Sequence, residues 1–238
     1  DYWNTVKPAL DKVDDVVLVV QFDTYDYTNL QEIGDGRYDA SLNQFIDAWK
    51  DDGNRRLSIR PMHEFNGDWY PWGTFRGGGN SKDNFKRAFQ HVAGVFKRRG
   101  ANVKMQLAYN CDSAQNDGSP FADWYPGDDV VDIILCSAYN RSGLEGHGWE
   151  SFDEVFGGGY DRMASIPGNK PLGLGETGST DWGGDKPAWI SDAFNQLVYK
   201  YTRVQECHWL LENKEGDWDL NTDGDVWAFG DGMRKFEF

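Results

Sequence analysis

Residues 16–22 read VVLVVQF, a β-branched apolar run with aspartates at 14, 15 and 23 on its flanks. A short, continuous apolar run between polar boundaries has the pattern of a strand buried on both faces, as in a parallel sheet. The segments beyond it alternate in kind. DASLNQFIDAWK (39–50) has helical spacing and is closed by Gly53, and RLSIRP (56–61) is strand-like and runs into His63 and Glu64. A helix is predicted over 82–99, closed by Gly100, then strands over 103–109 (VKMQLAY) and 130–139 (VVDIILCSAY). A helix over 151–164 carries a glycine-rich interruption at 157–159. PLGLG (171–175) is a strand ending at Glu176, 187–201 is a helix, and CHWLLE (207–212) is a sixth strand. Upstream, residues 2–13 have helical spacing despite Pro8.

Apolar strands alternating with helices imply a parallel sheet with helices outside it. The polar residues at the strands' C-terminal ends are Asp23, His63–Glu64, Tyr109–Asn110, Tyr139–Asn140, Glu176 and Glu212–Asn213. A (β/α)8 barrel builds its active site at that rim, whereas an open doubly wound sheet concentrates it at one switch point. Polar groups on six successive ends favour the α/β, (β/α)8 TIM barrel. No linker, repeat or charge block interrupts the chain, so residues 1–238 read as a single catalytic domain. Gly77–Gly79 lacks the lysine of a phosphate loop and reads as a plain loop.

The formal charge of −15 argues against nucleic acid and anionic membranes as partners. A neutral polymer meets no such conflict. Eleven Trp and eleven Tyr, many beside Gly, Asp and Asn, suit a groove that stacks on sugar rings and bonds their hydroxyls. For any one tryptophan, however, a place in the core is the commoner use. The three cysteines, Cys111, Cys136 and Cys207, are too few for a disulfide scaffold or zinc site, and Cys136 and Cys207 sit in apolar runs as small core residues do. No apolar run is long enough to span a membrane. Asp217, Asp219, Asp223 and Asp225 offer calcium-type oxygens without EF-hand spacing. No metal and no cofactor are expected. His91, His147 and His208 are poor catalytic candidates, the first on a helix and the last inside a strand.

Glu64 and Glu176 each follow an apolar strand, where a carboxylate has no packing use. A retaining glycosidase needs two such carboxyls about 5–5.5 Å apart, one to attack the anomeric carbon and one to protonate the leaving oxygen. The surrounding segments carry a resemblance. RPMHEFNGDWYPWG (60–73) resembles the acid/base segment of glycoside hydrolase family 26, which belongs to the clan of retaining (β/α)8 barrels. PLGLGETG (171–178) is similar to that family's nucleophile strand, and 124–140 and 209–218 are similar to further family segments. The resemblance implies that Glu64 is the acid/base, Glu176 the nucleophile and Tyr139 a hydrogen-bond donor to the nucleophile. It also implies that Trp69 and Trp218 line sugar subsites. His63 is a further substrate-binding candidate, and Asn66, Tyr70 and Trp72 are weaker ones; His63 suits a bond to a sugar hydroxyl or to Glu176, and a sugar contact or an orienting role equally. Arg60 reads as a rim ion-pair partner and Asp23 as a loop cap before either reads as a sugar contact. Tyr109, Asn110 and Asn140 fit sugar contacts or ordinary strand-end hydrogen bonds.

Family counting puts the acid/base after strand four and the nucleophile after strand seven. Strands one and two are then missing from this sequence, and a longer polypeptide is expected. The activity implied is endo-cleavage of a β-linked polysaccharide, with β-1,4-mannan first and mixed-linkage glucan or xylan as alternatives. A catalytically inactive carbohydrate-binding relative is the alternative of a different class. A monomeric, secreted protein with no partner beyond its polysaccharide completes the expectation.

Overall fold

A computed structural model of the chain describes residues 1–13, 15–22, 29–113, 117–144 and 146–236; Asp23 lies outside them. The described residues divide into two compact units, Asp1–Ile134 with Ile166–Lys170, and Leu135–Ser165 with Pro171–Phe238.

In the first unit the opening run becomes strand β1, Val17–Val20. It pairs in parallel with β2, Leu57–Pro61, in the register Val17↔Ser58 to Val20↔Pro61. Every residue of β2 is buried, Ser58 and Arg60 included. Strand β3, Val103–Asn110, pairs in parallel along the other side of β2. The predicted helix over 2–13 is two pieces, a π-helical turn at Tyr2–Val6 and a short α1 at Lys7–Leu10, with Pro8 in α1's first turn, where its missing N–H costs nothing. Helix α2, Leu30–Gly34, was not legible, because five residues are too few to show a period. Asn29 caps it, and Asn80 accepts the Leu30 N–H. Helix α3, Asp39–Asp51, buries Leu42, Ile46 and Trp49 on one stripe. Helix α4, Lys82–Arg98, starts at the Ser81 cap and buries Phe85, Phe89, Val92 and Phe96 at i, i+4, i+7 and i+11.

In the second unit, strand β4 is Ile133–Asn140, beginning in the first unit and three residues later than expected. Val130 belongs to the preceding turn, its N–H bonded to Gly127, and Asp132 bonds Met105 instead of extending the strand. Helix α5, Phe152–Ala164, opens with a Ser151/Glu154 capping box. It runs unbroken through Gly157–Gly159, where an interruption was expected. The glycines serve packing here: a Cβ on Gly157 would lie 2.9 Å from the Tyr201 hydroxyl.

Strand β5, Leu172–Ser179, continues past Glu176, because Thr177 pairs with Trp209 although its own composition is not strand-like. Helix α6 is Lys186–Tyr199. Strand β6 is Val204–Trp209, shifted toward the N-terminus of the predicted run, and pairs in parallel with β5. Glu212 and Asn213 therefore lie beyond the strand, in a turn where Asn213 bridges Asp217. Helix α7, Asp223–Phe236, was not predicted.

Within the first unit the strand order is β1-β2-β3 and within the second β4-β5-β6, so in each unit strands follow one another in space as in sequence. Cys136 is fully buried, as a small core residue is, and Cys111 and Cys136 are each disulfide-bonded; Cys207 is free. Among the described residues no helix is long and apolar enough to cross a membrane.

Helices α6 and α7 meet where Gly232 lets the Phe194 ring press onto the α7 backbone, and a Cβ at Gly232 would run into that ring. Gly232→Val is expected to lower stability by about 1–3 kcal/mol through overpacking, read as a lower denaturant midpoint. An unchanged midpoint would show that the ring moves aside freely.

Candidate active site

In the first unit, β2 ends at Pro61 and the chain turns abruptly. Met62 and Glu64 hold left-handed backbone angles, φ 51° and 52°. An L side chain there costs roughly 1–2 kcal/mol, and such strain clusters at functional positions. The Glu64 N–H bonds to Ala108 of β3 at 2.8 Å, which ties the strained turn to the sheet.

The Glu64 carboxylate is 7% exposed and receives a donor on each oxygen. The Trp69 indole N–H donates to Oε2 at 2.8 Å, and the Asn110 amide donates to Oε1 at 3.0 Å. Trp69 is itself 43% exposed, so its ring offers an open aromatic face beside the carboxylate. Its ring folds back over Gly67, where a Cβ would come within 2.6 Å of it.

The other candidates in this unit are buried. Asn66 is 0% exposed: its amide donates to the Asn110 carbonyl at 2.8 Å, and its oxygen accepts the Asn110 N–H at 2.8 Å. Trp72 is 0% exposed, donates to the His63 carbonyl at 2.7 Å and stacks on Tyr70 at 4.8 Å. Neither presents a surface to a sugar; both brace the turn that carries Glu64. His63 is buried with its ring 4.5 Å from that of Tyr70. Arg60, expected at the rim, is buried and donates to Gln106 at 2.9 Å. The Tyr109 hydroxyl donates to the Phe121 carbonyl, and its ring stacks on Phe121 at 4.1 Å, a core arrangement. Close to Trp69 in sequence, Asp68, Phe75, Arg76 and Asn80 line a cavity of about 420 Å³.

In the second unit Glu176 is the single position of β5 that is not buried. The Tyr139 hydroxyl, from β4, donates to its Oε2 at 2.7 Å. Trp218 packs against Tyr139, ring centroids 4.8 Å apart, between Gly178 and Gly216, whose bare backbones admit the indole. Trp218 is 0% exposed, so in this structure its ring packs on Tyr139 and offers no open face. Asn140 is committed to Ser179 and to the Glu150 N–H.

Lys186 is buried at the start of α6, donating to the Asp219 carbonyl at 2.6 Å and pairing with Asp181 at 3.2 Å. It pins the loop that carries Trp218. Asp225, one of the calcium-type candidates, accepts the Asn221 and Thr222 N–H groups as the cap of α7. No group of three His, Cys, Asp or Glu suited to a metal occurs among the described residues. His91 pairs with Asp39 at 2.7 Å and His208 lies 3.4 Å from Glu206, both away from the two glutamates in role.

The sequence left Asn110 open between two uses. The signal that decides it is its place at the end of β3, the strand paired beside β2, whose register carried forward brings it level with Glu64, three residues past the end of β2.

Each unit thus carries one carboxylate at or just past a strand's C-terminal portion, Glu64 accepting from Trp69 and Asn110 and Glu176 accepting from Tyr139. The model for "Glycosyl hydrolase family 26" matches residues 3–163. Endoglucanase H of Acetivibrio thermocellus is 35% identical over 236 residues, covering 95% of this chain and 26% of that protein. A mannan endo-1,4-beta-mannosidase of Bacillus subtilis is 28% identical, covering 82% of this chain and 53% of the relative. The solved structure of a Bacillus subtilis mannanase superposes with a TM-score of 0.60 at 19% identity, over 90% of this chain and 63% of that one. The chain thus spans about a quarter to a half of the length of the curated relatives it matches.

Proposed function

Because this chain belongs to glycosyl hydrolase family 26, we propose that it is the catalytic part of an endo-acting, retaining glycoside hydrolase of a β-linked polysaccharide. Glu176 attacks the anomeric carbon while Glu64 gives its proton to the leaving oxygen. The glycosyl-enzyme ester then forms, and Glu64, now a carboxylate, takes a proton from the water that releases the sugar. The observation that carries this reading is Glu176 itself: the one accessible position on an otherwise buried strand, with a phenol hydrogen-bonded to it. A phenol donor steadies the carboxylate as attacking and as leaving group. The reading requires Glu64 and Glu176 to meet about 5–5.5 Å apart across one linkage, and so requires residues 1–238 to act as one catalytic domain.

Trp69 supplies the aromatic face for a sugar ring, His63 an orienting or hydroxyl contact, and the cavity beside Arg76 has room for further rings of the same chain. Asn66, Trp72 and Trp218 act from behind, by holding these groups. Strand β1 has a neighbour, β2, on one side, and an apolar hollow of about 200 Å³ lies beside it, lined by Leu18, Val20, Phe22 and Phe45. Neutral polysaccharide is too large to enter a cell, so this substrate places the action outside the cell.

β-1,4-Mannan is the first substrate, supported by the mannanase relatives. The greater identity to a protein named endoglucanase H favours mixed-linkage β-glucan as a second reading. Incubation with mannan, barley β-glucan and xylan, followed by reducing-end measurement and NMR of the first-formed anomer, tests both. New ends from mannan with β-configuration are expected. Cleavage of glucan with mannan intact would replace the substrate, and an inverted first anomer would refute the two-step route.

A further inference from the structure

The two oxygens of Glu64 are held unequally. Oε1 faces the amide of Asn110, whose own surroundings are locked: the Asn110 backbone makes a reciprocal pair with the Asn66 side chain, and its side-chain oxygen accepts the Asp112 N–H at 2.9 Å. With that oxygen engaged by a donor, the amide nitrogen is turned onto Glu64 and cannot flip without breaking a bond. Oε2 faces the indole of Trp69, whose ring is 43% exposed and less confined than the Asn110 amide. In a protonated carboxyl the hydroxyl oxygen is a poorer acceptor than the carbonyl oxygen. The locked donor therefore disfavours a proton on Oε1, while the donor on Oε2 can yield.

We propose that Asn110 is a positioning residue that anchors Oε1 of Glu64 and so selects Oε2 as the oxygen that carries the proton to the leaving group. This deepens the glycosidase reading above and rests on it. The effect is geometric: without the anchor, the carboxyl rotates about its terminal torsion and the proton is presented along the wrong line. Misplacement on the scale of an ångström costs on the order of 10²-fold in rate.

Asn110→Asp separates this role from simple support. An aspartate keeps the shape, the backbone pair with Asn66 and an oxygen for the Asp112 N–H, and loses the N–H toward Glu64 while adding a carboxylate beside it. Asn110→Ala, which adds no charge, separates the loss of the N–H from that repulsion. Asn110→Asp and Asn110→Ala are compared with wild type by kcat/KM on the polymer, whose leaving sugar needs the proton, and on a 2,4-dinitrophenyl β-glycoside, whose phenolate leaves without one. Thermal melting reports whether each variant is folded. The expected result for both variants is a polymer loss of roughly 10- to 100-fold, exceeding the loss on the dinitrophenyl substrate by about tenfold or more. Equal losses on the two substrates, or an Asn110→Asp variant with wild-type polymer activity, would overturn the proposal while leaving the glycosidase reading intact. A wild-type protein inactive on every substrate would overturn both.

Discussion

Glu176→Ala is expected to lower turnover on the polymer by roughly 10⁴-fold or more, the scale seen when a covalent nucleophile is removed, or about 5.5 kcal/mol of transition-state stabilisation. The reasoning starts from β5. A side chain at the one accessible position of a buried strand contributes little to packing, so its removal leaves the fold intact. Tyr139 then loses its acceptor but remains packed on Trp218. The loss is therefore chemical, and an intact melting transition beside it is part of the prediction. Azide supplied to this variant, with an activated aryl glycoside of β-configuration, occupies the vacated space and attacks the anomeric carbon directly. The product expected is the α-glycosyl azide, identified by NMR. A variant that keeps more than a tenth of wild-type polymer activity would remove Glu176 from the nucleophile's role, and with it the two-step mechanism.

Glu64→Ala carries the second large effect. On the polymer the expected loss is about 10²- to 10⁴-fold, the range for a general acid/base. On a dinitrophenyl glycoside the first step proceeds without a proton and the glycosyl-enzyme accumulates, giving a burst of phenolate followed by slow turnover. Azide now attacks the intermediate from the side Glu64 occupied, so rescue yields the β-glycosyl azide, the opposite anomer to that from Glu176→Ala. Stability should fall as well, because the Asn110 and Trp69 N–H groups lose their acceptor. A buried donor left unsatisfied costs about 1–3 kcal/mol. Equal fractional losses on polymer and aryl substrate would contradict the acid role and favour a purely structural one.

Two tryptophans and one asparagine named from the sequence as sugar contacts are fully buried. Asn66, Trp72 and Trp218 stand in segments rich in aromatic and amide groups, which is also the composition of a sugar-binding groove. The same groups are those a buried polar turn uses to satisfy itself. Asn66 spends its amide on the Asn110 backbone, and Trp72 spends its N–H on His63. Composition does not distinguish an amide facing a ligand from one facing its own chain. Trp69, three residues before Trp72, differs only in which way the loop turns it. The strained backbone at Met62 and Glu64 left no trace either, since non-glycine residues carry no sign of a positive φ.

Strand and helix order was legible because it depends on local pattern. The strand-like runs at 16–22, 56–61 and 103–109 form β1, β2 and β3, and the 82–99 period forms α4. Residues 16–22 have the pattern of a strand buried on both faces, but β1 is only partly buried, with Val19 exposed. The positions of Glu64 and Glu176 were legible from local pattern as well: a carboxylate next to a buried strand is locally out of place. The ends of β4, β5 and β6 were not, because a strand stops where its neighbour stops pairing, and that neighbour is distant in sequence. Sequence alone thus determined the β/α alternation and the two glutamates at its rim. Only the tertiary structure decided which surrounding side chains are open to a ligand and which are consumed in holding Glu64 and Glu176, because that choice is made by hydrogen bonds between residues far apart along the chain.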